Sequence, residues 1–219
     1  KALDINDGSV HNEQVCLEND TSGSGNMACN AKNSIFDAAS NNRTTSLWYN
    51  ADSVSGNTYR YLFEEGGGTN GQSIYIYNDR IYGCTWKSNN ISCGDHATTA
   101  NEWHQVVLVW NAGGTSNIYH DGVTNTGDAQ FVGKLDKNSN SPATLGGIGS
   151  VSRVEEGKTR EVSTHETDIV CELPHQSACE FKGIIDEFRV TNELLTAAEI
   201  KTMYNSESNA NFITVSGDT

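Results

Sequence analysis

Along this chain the apolar residues fall in short alternating runs separated by Gly, Asn, Asp and Ser, the period-2 pattern of strands rather than the 3.6-residue period of helices. ALDINDGSV opens as an edge strand, TTSLWYNADS reads as strand and turn, and YRYLFEEGGG as an apolar strand ending in a glycine turn. In QSIYIYNDRIYGCTW, Ile74 and Ile76 share one face and Tyr75 and Tyr77 the other, with a hairpin turn at NDR. NEWHQVVLVWNAGG is the longest apolar run and predicts a central strand. SNIYHDGVTN predicts a hairpin about Asp121-Gly122, a favoured type I′ pair, and ATLGGIGS a short strand of little bulk. Simple alternation in GIIDEFRV places Ile184, Asp186, Phe188 and Val190 on one face. A buried carboxylate needs a cation, a donor or a proton, so Asp186 demands a partner. Only LLTAAEIKTMYNS reads as a helix: Thr196 caps it, Glu199 completes a capping box, and Ile200, Met203 and Tyr204 form its apolar stripe.

These elements predict an all-β fold, a two-sheet antiparallel β-sandwich of jelly-roll type with one short C-terminal helix and disulfide-stapled loops. At 219 residues the chain fits one domain, assigned to residues 1–206, with 207–219 as a C-terminal tail or linker. Only 2 Pro against 21 Gly agrees with strands joined by polar turns. Trp48, Trp103 and Trp110 lie inside strand-like alternations and are expected in the core. The polar segment 151–180 is long for a loop; long loops in compact domains are usually functional or disordered, and a disulfide in it argues for order.

The formal charge of −14 repels phosphate backbones and anionic bilayers, which argues against nucleic acid as a partner. No run of residues is apolar enough for a membrane span, so membrane insertion is not expected. Six cysteines fall in three sequence-local pairs, Cys16 with Cys29, Cys84 with Cys93, and Cys171 with Cys179. Each pair brackets a polar, turn-rich segment that a core would not rigidify, and disulfides there imply an oxidising, extracellular compartment. The alternative is a set of free buried thiols. KALDINDG does not read as a signal peptide, so a mature protein or an excised module is expected. The sequons at Asn19, Asn42 and Asn90 matter only where the source glycosylates.

Five stretches, SLWYNADS, LFEEGGG with SIYIYND, NEWHQVVLVWN, IYHDGV and FKGIIDEFRVTNELLTAAEI, together resemble the laminin-G-like, concanavalin A-like lectin and glucanase superfamily. Residues 16–29 and 151–180 depart from its pattern as cysteine-bearing insertions. The resemblance implies two packed antiparallel sheets with the chain ends on adjacent strands. It also implies a structural calcium ion between the first strand and an aspartate of the last. The matching positions are Asp186 and the acidic start at Asp4, Asn6, Asp7 and Gly8. Calcium suits such a set because it takes carboxylates, carbonyls and water in a tolerant geometry. In the alternative, Asp186 accepts from backbone amides or pairs with Arg43, Arg60, Arg153 or Arg160.

Catalytic relatives resemble one another in an E-x-D-x-x-E strand whose acids face a cleft. The nearest approach here, ETDIVC, puts Cys171 where the third acid belongs and sits in the polar insertion, so no enzyme activity is expected. No serine-hydrolase, zinc-protease or phosphate-loop motif occurs, and His104, His120, His165 and His175 lie in different segments. The resemblance points instead to a non-catalytic carbohydrate or cell-surface binding module. The loop CTWKSNNISC offers an aromatic face with polar neighbours, namely Trp86, Lys87, Asn89 and Asn90, beside Tyr75 and Tyr77. The alternative folds Trp86 back onto the sandwich. Glu155, Glu156, Glu161, Glu166 and Asp168 form either further calcium ligands or a solvated acidic face. A structural or adhesive domain of a larger surface assembly, binding protein, is the other functional class.

Overall fold

The structure is a computed structural model, which describes residues 3–4, 15–16, 41–66, 70–87, 90–111, 115–124, 143–147 and 180–209. Twelve strands are described: β1 (Leu3–Asp4), β2 (Val15–Cys16), β3 (Asn42–Ala51), β4 (Arg60–Gly66), β5 (Asn70–Tyr77), β6 (Arg80–Lys87), β7 (Asn90–Ala97), β8 (Trp103–Asn111), β9 (Asn117–His120), β10 (Val123–Thr124), β11 (Thr144–Leu145) and β12 (Gly183–Thr191). One helix, α1 (Ala197–Ser208), follows. The strands form two six-stranded antiparallel sheets, ordered β1-β12-β3-β8-β9-β10 and β2-β11-β4-β5-β6-β7. The all-β sandwich read from the sequence is therefore correct. Two tight hairpins turn at Asn78-Asp79 and Asp121-Gly122, where all four residues have positive φ, as a type I′ turn requires.

Strand alternation decides what meets between the sheets. Leu47, Tyr49 and Ala51 of β3 and Val106 and Leu108 of β8 point inward from one sheet. They pack on Phe63, Ile74, Ile76 and Ile81 of the other, all fully buried. A bulge between Tyr61 and Phe63 turns both Leu62 and Phe63 into this core. At the β3 start the interior becomes polar. Arg43 pairs with Glu65 of the opposite sheet, and Gln72 Nε2 donates to Glu65 Oε2 at 2.6 Å. Burial pushes the Glu65 carboxyl up, against the opposing pull of Arg43 and Gln72.

The last strand departs from simple alternation. Ile185 enters the core, but so do the half-buried Phe188 and Val190, because the pairing of β12 with β3 slips by one residue between Asp186 and Arg189. Glu187 takes up the extra residue at φ 50°. Asp186 lies opposite Trp48 and Arg189 opposite Ser46, so both face outward although their separation in a regular strand would place them on opposite faces. This corrects the alternation that grouped Asp186 with Phe188 and Val190. The sequence reading of adjacent chain ends does hold in register: Leu3 pairs with Ile185 and Asp4 with Ile184.

Helix α1 lies on the outer face of the first sheet, burying Ile200 against Val107, Val109 and Tyr119. Its capping box is complete: Glu199 N donates to Thr196 Oγ1, and Thr196 N donates to Glu199 Oε2 at 2.7 Å. The helix continues through Glu207 and Ser208, residues that the sequence reading placed in a tail. Glu207 is firmly tied to the sheet, accepting from Trp48 Nε1 at 2.5 Å and Gln105 Nε2 at 2.9 Å.

Candidate functional site

The C-terminal end of α1 leaves part of the sheet's outer face open as a groove of about 550 Å³. Trp48, Trp103 and Tyr204 supply aromatic surface there, while Asp186, Glu187, Arg189 and Glu207 supply charge. The bulge at Glu187 builds this site by bringing Asp186 and Arg189 to the same face. Trp48 stacks on Tyr204 with ring centroids 5.7 Å apart and planes 13° apart, so helix and sheet share one aromatic wall. Trp103, at the first position of β8, is 45% exposed. Arg189 bridges Glu187 and Glu207, which raise its pKa above the ordinary arginine value. The Asp186 Oδ1 atom accepts from Glu187 N at 2.8 Å, one of the partners the sequence allowed.

The residues selected from the sequence for ligand contact do not assemble into an open site. Cys84 and Cys93 are disulfide-bonded as expected, but they are a cross-strand pair in the middle of the β6–β7 hairpin rather than staples of a recognition loop. Trp86 is fully buried and Tyr75 is 1% exposed, so neither offers a ring to a ligand. Trp86 reaches this position because it lies across Gly71, where a Cβ would sit 2.3 Å from its Cζ2 atom. Tyr77 is half-buried and stacked on Tyr59 at 4.4 Å. Lys87 and Asn90 are described as strand backbone only, and Asn89 lies outside the described residues. So do Asn6, Asp7, Gly8, Cys29, Cys171, Cys179, Glu155, Glu156, Glu161, Glu166 and Asp168. Trp110 is fully buried as expected, whereas the exposure of Trp103 corrects its assignment to the core, and Trp48 is half-buried at the groove.

A second cluster occupies the end of the sandwich interior away from Arg43. Tyr49, His104 and His120 lie there on the strands β3, β8 and β9, with His96 facing them from β7. The turn residue Asp121 closes the group. His104 Nδ1 is 2.8 Å from Asp121 Oδ2, and the Gln105 backbone N–H donates to Asp121 Oδ1 at 2.9 Å. Burial works to raise the Asp121 pKa, but these hydrogen bonds prevail and hold it below its ordinary value. Burial pushes His120 down to about 4 and pushes the Tyr49 phenol up, so near neutral pH both groups are uncharged. Among the described residues, His104, His120 and Asp121 are a group whose ligand atoms all lie within 4.8 Å of one another.

With the strands in place, a family model described as the concanavalin A-like lectin/glucanases superfamily, of laminin-G type, matches residues 21–167. The chain belongs to this superfamily. No curated protein matches it in sequence. Among solved structures, the botulinum neurotoxin serotype G binding domain is similar at a TM-score of 0.56 and 13% identity, covering 80% of this chain and 39% of that one. The serotype D ligand binding domain in complex with N-acetylneuraminic acid gives 0.51 and 14%, covering 76% and 36%. The native heptameric SAP-like pentraxin from Limulus polyphemus gives 0.50 and 14%, covering 76% and 71%. The chain thus spans well under half the length of these toxin domains. At such identities the likeness concerns the concanavalin A-like fold alone, on which many functions are built.

Proposed function

We propose that this chain is a non-catalytic carbohydrate or cell-surface binding module of an exported protein, and that its ligand occupies the groove beside Trp48 and Trp103. The observation that carries the reading is Trp103, a large aromatic side chain 45% exposed at the rim of a groove whose other walls combine the Trp48 and Tyr204 rings with charged and hydroxyl groups. A pyranose ring can cover an indole face while its hydroxyls donate to carboxylates, and Asp186, Glu187 and Glu207 are such acceptors. The one cation, Arg189, is already engaged by two carboxylates. Neutral sugars are therefore favoured over sialylated ones, although a related fold was crystallised with N-acetylneuraminic acid.

The test is an array carrying neutral and sialylated glycans, read with the native chain and with Trp103→Ala. Binding of neutral glycans that falls at least tenfold in the variant, at unchanged melting temperature, supports the reading. Retention of a protein partner with no glycan signal favours the adhesive-assembly class instead. Turnover of a bound polysaccharide would defeat both.

Calcium belongs to the same proposal. Asp4 lies on the strand beside Asp186, and among the described residues Asp186 Oδ2 meets no donor, which leaves an oxygen available to a hard cation. Calcium should raise the melting temperature of the native chain but not of Asp186→Asn. An equal rise in both would remove Asp186 from the assignment.

A further inference from the structure

We propose that His104, His120 and Asp121 form a binding site for a divalent late transition-metal ion, with zinc as its probe. The strand pairing brings the ligands together: β8 and β9 are neighbours, with Val106 opposite His120, so His104 and His120 project inward side by side. The φ of 52° at Asp121 starts the turn, and its carboxylate faces both rings. Asp121 Oδ2 lies 2.8 Å from His104 Nδ1 and 3.9 Å from His120 Nδ1. A tetrahedral ion with bonds of about 2.0–2.1 Å sets its ligand atoms about 3.3 Å apart, between those two values. All three ligand atoms lie within 4.8 Å of one another, so rotations of the two rings bring them to that spacing.

The hydrogen-bond inventory points the same way. Thr99 has one hydroxyl proton and donates it to Glu102 Oε2 at 3.0 Å, so at 2.8 Å it accepts from His104 Nε2–H. His104 therefore turns its Nδ1 toward a carboxylate with its other nitrogen already a donor. The contact with Asp121 at 2.8 Å is a hydrogen bond through Nδ1, and a metal ion that takes the Nδ1 lone pair displaces that proton to solvent. His120 Nε2 lies 3.0 Å from the Tyr49 hydroxyl, and its Nδ1 lies on the Asp121 side, 3.9 Å from Oδ2. Outer hydroxyls on the far nitrogens and inner nitrogens converging on a carboxylate make the usual two-layer pattern of histidine metal sites.

Imidazole nitrogens select zinc and its neighbours over calcium or magnesium. The histidine side chains are 9% and 11% exposed and Asp121 is 28% exposed, so the ion has a way in and a water can complete the shell. This site is independent of the calcium proposed near Asp186.

The test is zinc titration of the disulfide-intact, chelator-treated chain against a chromophoric competitor. His120→Gln should weaken the tight site more than 100-fold. Tyr49→Phe, which touches no metal, should weaken it by about 10–100-fold. Calcium should not compete. Equal zinc affinity in the native chain and His120→Gln would overturn the proposal. Should that variant misfold, imidazole nitrogen NMR of the native chain decides: zinc must shift Nδ1 of both His104 and His120, and unmoved resonances overturn the proposal.

Discussion

Replacing Trp86 separates a core residue from a recognition residue, and the structure sets the size of the effect. Trp86 is fully buried among Tyr59, Tyr61, Tyr75 and Cys84. Trp86→Ala should therefore cost about 3–5 kcal/mol. For a chain of this size that is a fall of roughly 6–20 °C in Tm. Gly71→Ala attacks the same contact from the opposite strand, because its Cβ would sit 2.3 Å from Trp86 Cζ2 and 2.5 Å from the Glu65 carbonyl oxygen. Overpacking of this kind costs about 1–3 kcal/mol. Trp86→Phe withdraws the ring atoms that clash but leaves the carbonyl, so the double variant Gly71→Ala, Trp86→Phe should recover part of that loss. Guanidinium unfolding with the disulfide intact gives all four free energies, and a coupling of about 0.5–3 kcal/mol is expected. Additive effects would refute the packing of Trp86 on Gly71. Trp86→Ala of unchanged stability with lost ligand binding would refute burial itself and return the recognition surface to the hairpin.

The remaining predictions concern other parts of the fold. Arg43→Met alone leaves Glu65 as a buried charge and should cost about 3–5 kcal/mol in urea unfolding, whereas Arg43→Met with Glu65→Leu should cost much less; equal losses would show that packing, not charge, holds that end. Replacing Cys84 and Cys93 by Ser opens a link of sequence separation 9 and should cost roughly 2.5–3 kcal/mol on the chain-entropy view. Glu199 donates no proton but accepts at Thr196, which lowers its pKa, so its contribution exists above the ordinary value of 4.5 and is lost as pH falls through the lower folded value. The stability gap between the native chain and Glu199→Gln should accordingly narrow from about pH 7 to about pH 3. A gap independent of pH would mean that the capping box does not act through charge.

The strands were legible because their apolar residues alternate and their turns carry Asn-Asp and Asp-Gly, chemistry that is local in the chain. The helix was legible for the same reason, through Thr196 and Glu199. The face of Asp186 was not, since the bulge rests on Glu187 at positive φ, a residue type that does not signal one. Trp86 was misjudged because two nearby cysteines suggested a loop, while the strands of the hairpin in fact run from Arg80 to Lys87 and from Asn90 to Ala97. The side chains of the groove come from three strands and the helix, and those of the histidine cluster from four strands and a turn. Spacing along the chain carries no trace of such assemblies; the one available signal was the odd richness of His in strands that otherwise read as apolar.

Glu207 accepts from Trp48, Gln105 and Arg189, so a single carboxylate fastens one side of the groove to its base. Occupancy of the groove and attachment of the helix are then one linked equilibrium. A ligand that needs Tyr204 in place must slow local opening of α1, and backbone amide exchange in residues 200–208 becomes a reporter of binding that requires no label on the ligand. By the same linkage, anything that pulls on the helix would lower affinity without touching a contact residue.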